Sequence, residues 1–252
     1  MAKQAALSEK LLIDGYDLSG DIGALTRIGS NSAVLDVTAI NKAAMERILA
    51  HTDGALEFMA FFNDATAQEH VVLKAKGSGA NRVATWLHGA AIGNVGAAIV
   101  AKQINYDPTR GQDGSLTEAI QLLAAAYGLD FATQLTAGLR TDTAATAGNS
   151  LNKGAASALG AAAYLQVTAF SGTDVTIAVQ SSSDNGGGDA FSNITALVFT
   201  TLNAGNPAPF AERKATAAGA AIEQYLKVTT STATSFSSVT FSVVLTRSLY
   251  AP

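Results

Sequence analysis

The chain has 252 residues, a formal net charge of −4 and no cysteine, with 14% charged and 48% apolar residues. Its length fits one large domain or two domains of ordinary size. The lack of cysteine excludes a disulfide framework and thiolate chemistry, and the acidic balance argues against a nucleic-acid-binding protein. A chain with so few charges is expected to bury surface in an assembly. No apolar stretch has the length of a signal-peptide core or a membrane span, so we expect no membrane partner.

The N-terminal part of the chain contains one predicted turn region and one predicted helix. Residues 14–21 (DGYDLSGD) lack the ligand spacing of a calcium-binding loop and are typical of a solvated turn. Residues 41–49 begin on a helix-capping asparagine and place Met45, Ile48 and Leu49 on one helical face. The pattern therefore predicts a helix over residues 41–49.

The densest apolar point of the chain is a predicted strand at residues 55–62, which follows a shorter predicted strand at residues 32–38. Asp53-Gly54 and Asn63-Asp64, both turn dipeptides, bound the apolar run. One face carries Leu56, Phe58, Ala60 and Phe62, and the other carries Glu57, Met59 and Phe61. A strand that is apolar on both faces is buried on both, inside a sandwich or between a domain and its neighbour. The candidates for subunit contact are Leu56, Phe58, Met59, Phe61 and Phe62.

The middle of the chain contains one segment that periodicity does not settle. A strand is predicted at residues 97–106 and a polar loop at residues 107–114. In residues 116–127 the apolar side chains recur at helical spacing, yet the segment could also be a strand that pairs with residues 97–106. Both alternatives stay open at this point.

A small, polar stretch at residues 141–150 predicts a surface linker and a domain boundary near residue 145. Beyond it, residues 164–170 and 175–180 predict a hairpin that turns at Ser171-Gly172. Further strands are predicted around 194–200, 221–229 and 239–246. This succession of short alternating strands predicts an antiparallel β-sandwich, or jelly roll, over residues 146–252.

The sequence carries no recognisable catalytic or metal-binding pattern. His51, His70 and His88 have no metal-ligand spacing, and the glycines of residues 89–96 do not match a phosphate-binding loop. Asp184 and Asp189 flank three glycines and could hold a cation, but an Asn-Gly hairpin loop is the simpler interpretation. No carboxylate pair stands out as acid and base. We therefore expect a non-catalytic protein.

Four stretches of the chain resemble the tail tube proteins, also called major tail proteins, of long-tailed bacteriophages. They are residues 12–24 (LIDGYDLSGDIGA), 53–64 (DGALEFMAFFND), 93–111 (GNVGAAIVAKQINYDPTRG) and 225–230 (YLKVTT). The resemblance implies a mainly β chain whose residues 1–145 form a β-sandwich or barrel with one α-helix. It also implies a strand after the 107–114 loop. Residues 146–252 resemble the outer, decorating sandwich domain of some of these proteins.

The same resemblance implies a structural protein of the virion tail, made in the cytoplasm of the bacterial host, with no enzymatic activity and no cofactor. Its partners would be other copies of the chain in stacked hexameric rings, together with the tape-measure protein and the tail-tip or terminator proteins. DNA would pass through the lumen of the tube without specific binding, which agrees with the acidic net charge.

Other classes of function remain possible from the sequence alone. A capsid decoration protein is a close structural alternative. A carbohydrate-binding or adhesive module would need an exposed aromatic platform on the sandwich, whereas the single tryptophan, Trp86, lies outside residues 146–252. A hydrolase is disfavoured because the sequence offers no paired nucleophile and base.

We predict no measurable affinity of the protein for duplex DNA at physiological salt. The 16 lysine and arginine residues are outnumbered by 20 aspartate and glutamate residues, so counterion release would not favour binding. A gel-shift titration with a DNA fragment checks this. Submicromolar, salt-sensitive retention of the fragment would contradict the conduit interpretation.

Overall fold

The computed structural model describes residues 8–75 and 79–248, and in this part of the chain it confirms the predicted mainly β fold. The chain forms two compact units. Unit 1 comprises the described residues of Met1–Gly20, Val83–Ala98 and Phe131–Pro252, and unit 2 those of Asp21–Arg82 and Ile99–Asp130. Within the described residues, no helix is long and apolar enough to cross a membrane.

The described secondary structure consists of 18 strands and one short helix. In chain order the elements are β1 (Lys10–Ile13), β2 (Tyr16–Asp17), β3 (Ile22–Asp36), β4 (Arg47–Phe61), α1 (Glu69–Leu73), β5 (Arg82–Leu87), β6 (Val95–Gln103), β7 (Asp107–Arg110), β8 (Leu116–Ala124), β9 (Asp130–Gln134), β10 (Arg140–Asp142), β11 (Leu151–Asn152), β12 (Ala162–Gly172), β13 (Asp174–Ser182), β14 (Ser192–Val198), β15 (Leu202–Asn203), β16 (Phe210–Ala215), β17 (Tyr225–Ser231) and β18 (Phe236–Thr246).

Unit 1 is an antiparallel β-sandwich, as predicted for the C-terminal part of the chain. One sheet contains β12 between β16 and β18, and the other has the order β11-β17-β13-β14. The core between the sheets takes every second residue of the paired strands, in agreement with the alternation in the sequence. Its largest contributors are Leu165, Ile177, Phe199, Leu226 and Phe241.

The predicted hairpin between residues 164–170 and 175–180 is wrong, although both segments are strands. β12 pairs with β16 and β18, whereas β13 pairs with β14, β15 and β17. Leu165 of β12 and Ile177 of β13 both lie in the core between the sheets. Burying the apolar faces of both strands against each other requires the chain to change sheets at the turn, which a hairpin within one sheet would not allow.

Strands β6, β12 and β18 are buried on both faces, whereas the predicted strand at residues 55–62 is not. Residues 161–167 and 241–246 are buried at every position. The Gln166 side chain, on the face of β12 away from the sandwich core, accepts the Gly15 N–H at 2.7 Å and donates to the Val83 carbonyl at 2.8 Å. The sheet therefore curls within unit 1 so that β1, β2 and β5 cover β12.

Unit 2 is built on β4, which pairs with β3 on one side and β8 on the other. The predicted turn at Asp53-Gly54 is wrong, since both residues lie inside β4, and a Cβ on Gly54 would meet the Leu129 backbone nitrogen at 2.4 Å. The resemblance predicted the conformation of residues 116–127 better than helical spacing did. Leu116–Ala124 is a strand that pairs with β6. Of the two alternatives for this segment, the strand that pairs with residues 97–106 is therefore correct. Part of the predicted loop at residues 107–114 is also a strand, Asp107–Arg110.

The predicted helix at residues 41–49 is wrong. Arg47, Ile48 and Leu49 belong to β4 and pair with residues 34–36 of β3, and the single helix among the described residues is Glu69–Leu73. The apolar residues at positions 45, 48 and 49 fit a helical face, but helix propensity is a weak preference that strand pairing readily overrides. In the ribbon, Ile48 and Leu49 instead point to opposite faces, one apolar side chain on each.

The predicted boundary near residue 145 falls inside unit 1, so the division into 1–145 and 146–252 does not coincide with the two compact units. The predicted linker is tied to β17. The Thr146 N–H donates to the Thr230 carbonyl at 3.2 Å, and the Gly148 N–H donates to the Val228 carbonyl at 2.9 Å. The segment has no apolar anchor, and backbone hydrogen bonds hold it in place instead.

Replacing Gln166 by alanine should destabilise unit 1 by about 1–3 kcal/mol, because the buried Gly15 N–H loses its partner, whereas the Val83 carbonyl still accepts the Asp14 N–H. A matched control is Gln224→Ala, which removes a bond to Asn152 at an exposed position and should cost less than about 1 kcal/mol. Urea unfolding followed by the fluorescence of Trp86, which lies in unit 1, measures both. Equal effects of the two substitutions would contradict the structural role of Gln166.

Candidate subunit interface

The five predicted contact residues divide between the core of unit 2 and its surface. Leu56 and Phe58 are 0% and 2% exposed and face the core, where they pair with Leu122 and Ile120 of β8. Met59 and Phe61, on the opposite face of β4, are 36% and 52% exposed. Phe62, just after the strand ends, is also exposed. The alternation in the sequence is therefore correct for residues 56–61 but wrong for Phe62, which was placed on the face of Leu56 and Phe58. Only one face of the strand is buried among the described residues.

The exposed face of β4 is a shallow apolar surface with small neighbours. Met59 lies between Ala24 of β3 and Ala119 of β8. The ring of Phe61 lies on Gly23, where an added Cβ would meet the ring at 2.9 Å. Because these neighbours are small, the two large side chains stand clear of the sheet and are available for contact with another molecule.

One end of this face is polar. Glu57 accepts hydrogen bonds from Gln121 Nε2 at 2.9 Å and from Arg27 Nη1 at 3.2 Å. All three side chains lie on the same side of the sheet as Met59, since cross-strand partners share a face. The polar cluster therefore borders the apolar surface and would set the orientation of a docked partner.

The most exposed apolar segment of unit 2 is the far end of the β3–β4 hairpin, which we call the hairpin arm (residues 33–49). Residues 33–37 and 41–49 are exposed at every position. Val34 pairs with Leu49, and Leu35 pairs with Ile48, so each face of the ribbon carries an apolar pair. A two-stranded ribbon with neither face covered is marginally stable in water. The hairpin arm therefore has the composition of a segment that packs against another molecule.

Hydrogen bonds order the turn of the hairpin arm. The Val37 N–H donates to the Glu46 carbonyl at 2.9 Å, and the Glu46 N–H donates to Thr38 Oγ1 at 2.8 Å. The Thr38 hydroxyl in turn donates to Asp36 Oδ1 at 2.6 Å. These bonds from the Thr38 side chain and backbone lower the pKa of the exposed Asp36 carboxyl. The turn of the arm is thus held in place by hydrogen bonds of its own.

Exposed apolar side chains concentrate in unit 2. Among the described residues, 17 large apolar side chains are exposed, and all but Val95, Phe131 and Leu159 belong to unit 2. Sequence reasoning found Met59, Phe61 and Phe62 but missed the hairpin arm. The signal was present as two apolar dipeptides, Val34-Leu35 and Ile48-Leu49, on either side of a polar turn, and the predicted helix concealed it.

The other sequence candidates do not assemble into a chemical site. No group of three or more metal-ligating side chains occurs among the described residues. His51 is exposed, the His70 ring bonds to Tyr106, and His88 bonds to Glu9. Trp86 is partly buried in β5 and presents no open aromatic platform.

The loop between β13 and β14 is confirmed as an Asn-Gly turn, with Asn185 and Gly186 at positive φ. The Asp184 carboxylate accepts backbone N–H groups from Gly186, Gly187, Gly188 and Asp189. These bonds, led by the one from Gly188, lower its pKa. The Asp184 carboxylate therefore stabilises the loop by accepting hydrogen bonds from the loop backbone.

Comparison with known proteins gives distant structural likenesses only. No family model and no curated protein sequence matches the chain. A chain of the virion of a native gene transfer agent is 15% identical, covering 51% of this chain and 98% of that chain with a TM-score of 0.41. A chain from the tail of an empty gene transfer agent particle with C6 symmetry is 17% identical, covering 52% and 98%, with a TM-score of 0.39. The Dit protein of phage SPP1, a hub of the adsorption apparatus, is 9% identical, covering 93% and 98%, with a TM-score of 0.33. TM-scores this low do not establish a family.

The two phenylalanines Phe58 and Phe61 should respond differently to truncation in the monomeric chain. Phe58→Ala opens a cavity in unit 2 and should destabilise it by about 3–5 kcal/mol. Phe61→Ala removes an exposed ring and should change its stability by less than about 1 kcal/mol. Hydrogen exchange of residues 55–61 in dilute protein measures both. Equal losses of protection would contradict the assignment of core and surface.

Proposed function

We propose that the chain is a structural, non-enzymatic subunit of a bacteriophage tail, and specifically a major tail protein that forms hexameric rings stacked into a hollow tube. The observation that carries the proposal is the hairpin arm, an ordered ribbon with apolar pairs on both faces and no cover from its own unit. A soluble monomer gains nothing from such a segment, whereas a subunit of a closed assembly buries it against its neighbours.

The edge of the unit 2 sheet supports the same proposal. Among the described strands, β3 pairs with β4 alone, so one edge of a 15-residue strand is left with open backbone groups. A long open edge invites pairing with another chain, and ring closure is one way in which proteins remove it. The exposed face with Met59 and Phe61 lies on the same sheet and would be covered in the same assembly.

The low content of charged residues is compatible with a tube through which DNA passes. A lumen without clustered lysine and arginine would not hold the phosphates of passing DNA, and the net charge of −4 is compatible with such a lumen. In this function the partners would be further copies of the chain, the tape-measure protein and the tail-tip or terminator proteins. We place the assembly surface in unit 2 and assign the sandwich of unit 1 to the outside of the tube.

Substitutions on the two apolar surfaces of unit 2 should prevent assembly without unfolding the chain. Leu49, 74% exposed in the hairpin arm, and Phe61 are each replaced by aspartate. Losing the burial of one large apolar side chain weakens a contact by about 1.5–3 kcal/mol, so the concentration needed for assembly should rise tenfold or more. Negative-stain microscopy and light scattering after gel filtration measure the rings and tubes.

The matched control is Leu159→Asp, which changes an exposed leucine of unit 1 and should leave assembly unchanged. The three variants should share the circular dichroism spectrum of the parent chain. A parent chain that stays at 25.6 kDa at every concentration, even with added tail-tip extract, would contradict self-assembly. Closed rings that never stack would contradict the tube and favour a tail hub, and binding to capsid shells without tubes would favour a decoration protein.

A further inference from the structure

Unit 2 buries two glutamates that lack the usual compensation for a buried charge. Glu69, in the first turn of α1, and Glu118, in β8, are both fully buried. Both carboxyl oxygens of Glu69 and the Oε2 atom of Glu118 have no hydrogen-bond partner among the described residues. An isolated carboxylate in such surroundings is strongly disfavoured. The two side chains therefore need either a bound cation or a proton.

Four further polar contacts surround the pair and include a third carboxylate. The Glu69 N–H donates to Asp21 Oδ2 at 3.1 Å, which brings a third carboxylate close to the start of α1. Glu118 Oε1 accepts the Tyr106 hydroxyl at 2.5 Å, and that hydroxyl lies 2.6 Å from His70 Nδ1. The titratable groups around Glu69 are therefore Glu118 from β8, Asp21 before β3, Tyr106 after β6 and His70 on α1 itself.

A proton fits this geometry better than a metal ion. No group of three metal-ligating side chains exists among the described residues. A protonated Glu69, by contrast, can donate a hydrogen bond to Glu118. This single bond gives one oxygen of Glu69 and one oxygen of Glu118 a hydrogen-bond partner. Tyr106 occupies the other oxygen of Glu118 as a neutral donor, because burial and the neighbouring Glu118 raise the pKa of its phenol.

The electrostatics agree with this arrangement. Burial, followed by the hydrogen bond to Glu118 and the charges of Glu118 and Asp21, raises the pKa of Glu69 to about 9. Two carboxylates at one buried site cannot both ionise without strong repulsion. Glu69 therefore stays neutral over the physiological range.

We infer that Glu69 and Glu118 share one proton in the folded chain and that this proton fastens α1 to β8, making unit 2 a pH-sensitive element. When the proton leaves for solvent hydroxide, the Glu69–Glu118 bond is replaced by repulsion between two buried carboxylates. Helix α1, with five residues, has little stability of its own and would then separate from the sheet. This inference does not depend on the proposed function.

The direction of the pH effect follows from linkage. The ordinary pKa of a glutamate is 4.5, and that of Glu69 in the folded chain is about 9. The stabilisation from this group is complete below the unfolded pKa and is lost as the pH rises toward the folded one. Between these limits the opening equilibrium of α1 should increase about tenfold per pH unit. Unit 2 should thus be tightest in mild acid and loosest in alkali.

The test compares the full-length chain with Glu69→Gln, in which an amide that cannot ionise still donates to Glu118. Hydrogen exchange of residues 63–75 is measured for both proteins at the same pH, at about pH 5, 7 and 9, so that the intrinsic exchange rate cancels. The parent and the variant should match near pH 5. At pH 9 the parent should exchange at least about 100-fold faster relative to the variant, because only the parent loses a proton. Glu46→Gln, at an exposed position of the hairpin arm, should follow the parent at every pH.

Infrared difference spectroscopy supplies a readout that does not depend on stability. At neutral pH the parent should show the C=O stretch of a buried protonated carboxyl group, and Glu69→Gln should lack it. Parallel pH profiles, or the absence of that band, would overturn the shared proton. Slower exchange on adding calcium or magnesium, reversed by a chelator, would overturn it in favour of a cation between the two glutamates.

Discussion

The structure of unit 2 depends on the pairing of β4 with a different strand on each side. Near its C-terminal end, Leu56 and Phe58 pack into the core beside Leu122 and Ile120 of β8, which fixes the strand in place. The β8 partner stops at Ala55, whereas β3 continues to pair as far as Arg47. The first half of β4 therefore leaves the sheet as a ribbon. One apolar anchor thus determines both where the core ends and where the exposed arm begins.

The sequence predicts strands well where one face is buried and the other is polar or half exposed. In β18 the alternation of Val239, Phe241, Val243 and Leu245 corresponds to the sandwich core. The prediction of secondary structure from alternation fails where the apolar residues recur for another reason. Residues 41–49 fit a helical face only because two adjacent apolar residues of a two-sided ribbon also satisfy helical spacing. Ser242 and Gln166 lie on buried faces that polar residues do not reveal, because their burial comes from the curl of the sheet.

The same limit applies to the candidate sites. Phe61 and Met59 could be identified from the apolar composition of both faces of β4, but which face meets the core depends on β8 and α1, which follow later in the chain. The Glu69–Glu118 pair could not be identified at all. Each glutamate looks like an ordinary surface residue in its own segment, and only the position of α1 on the sheet brings the two together. Local sequence patterns show which face of a strand or helix is apolar. Contacts between residues that are distant in the sequence depend on the whole fold.

The position of β18 has a consequence for how the protein is made. This strand is the last described element of the chain, yet it lies inside its sheet, paired with β12, β9 and β10. The sandwich of unit 1 cannot close until residues 236–246 have been synthesised, and the apolar faces of β12 and β13 stay uncovered until then. Unit 2 ends at Asp130 and has all its strands much earlier. A chain in this state exposes the apolar faces of its unfinished sandwich, so early release or slow translation would favour aggregation through unit 1.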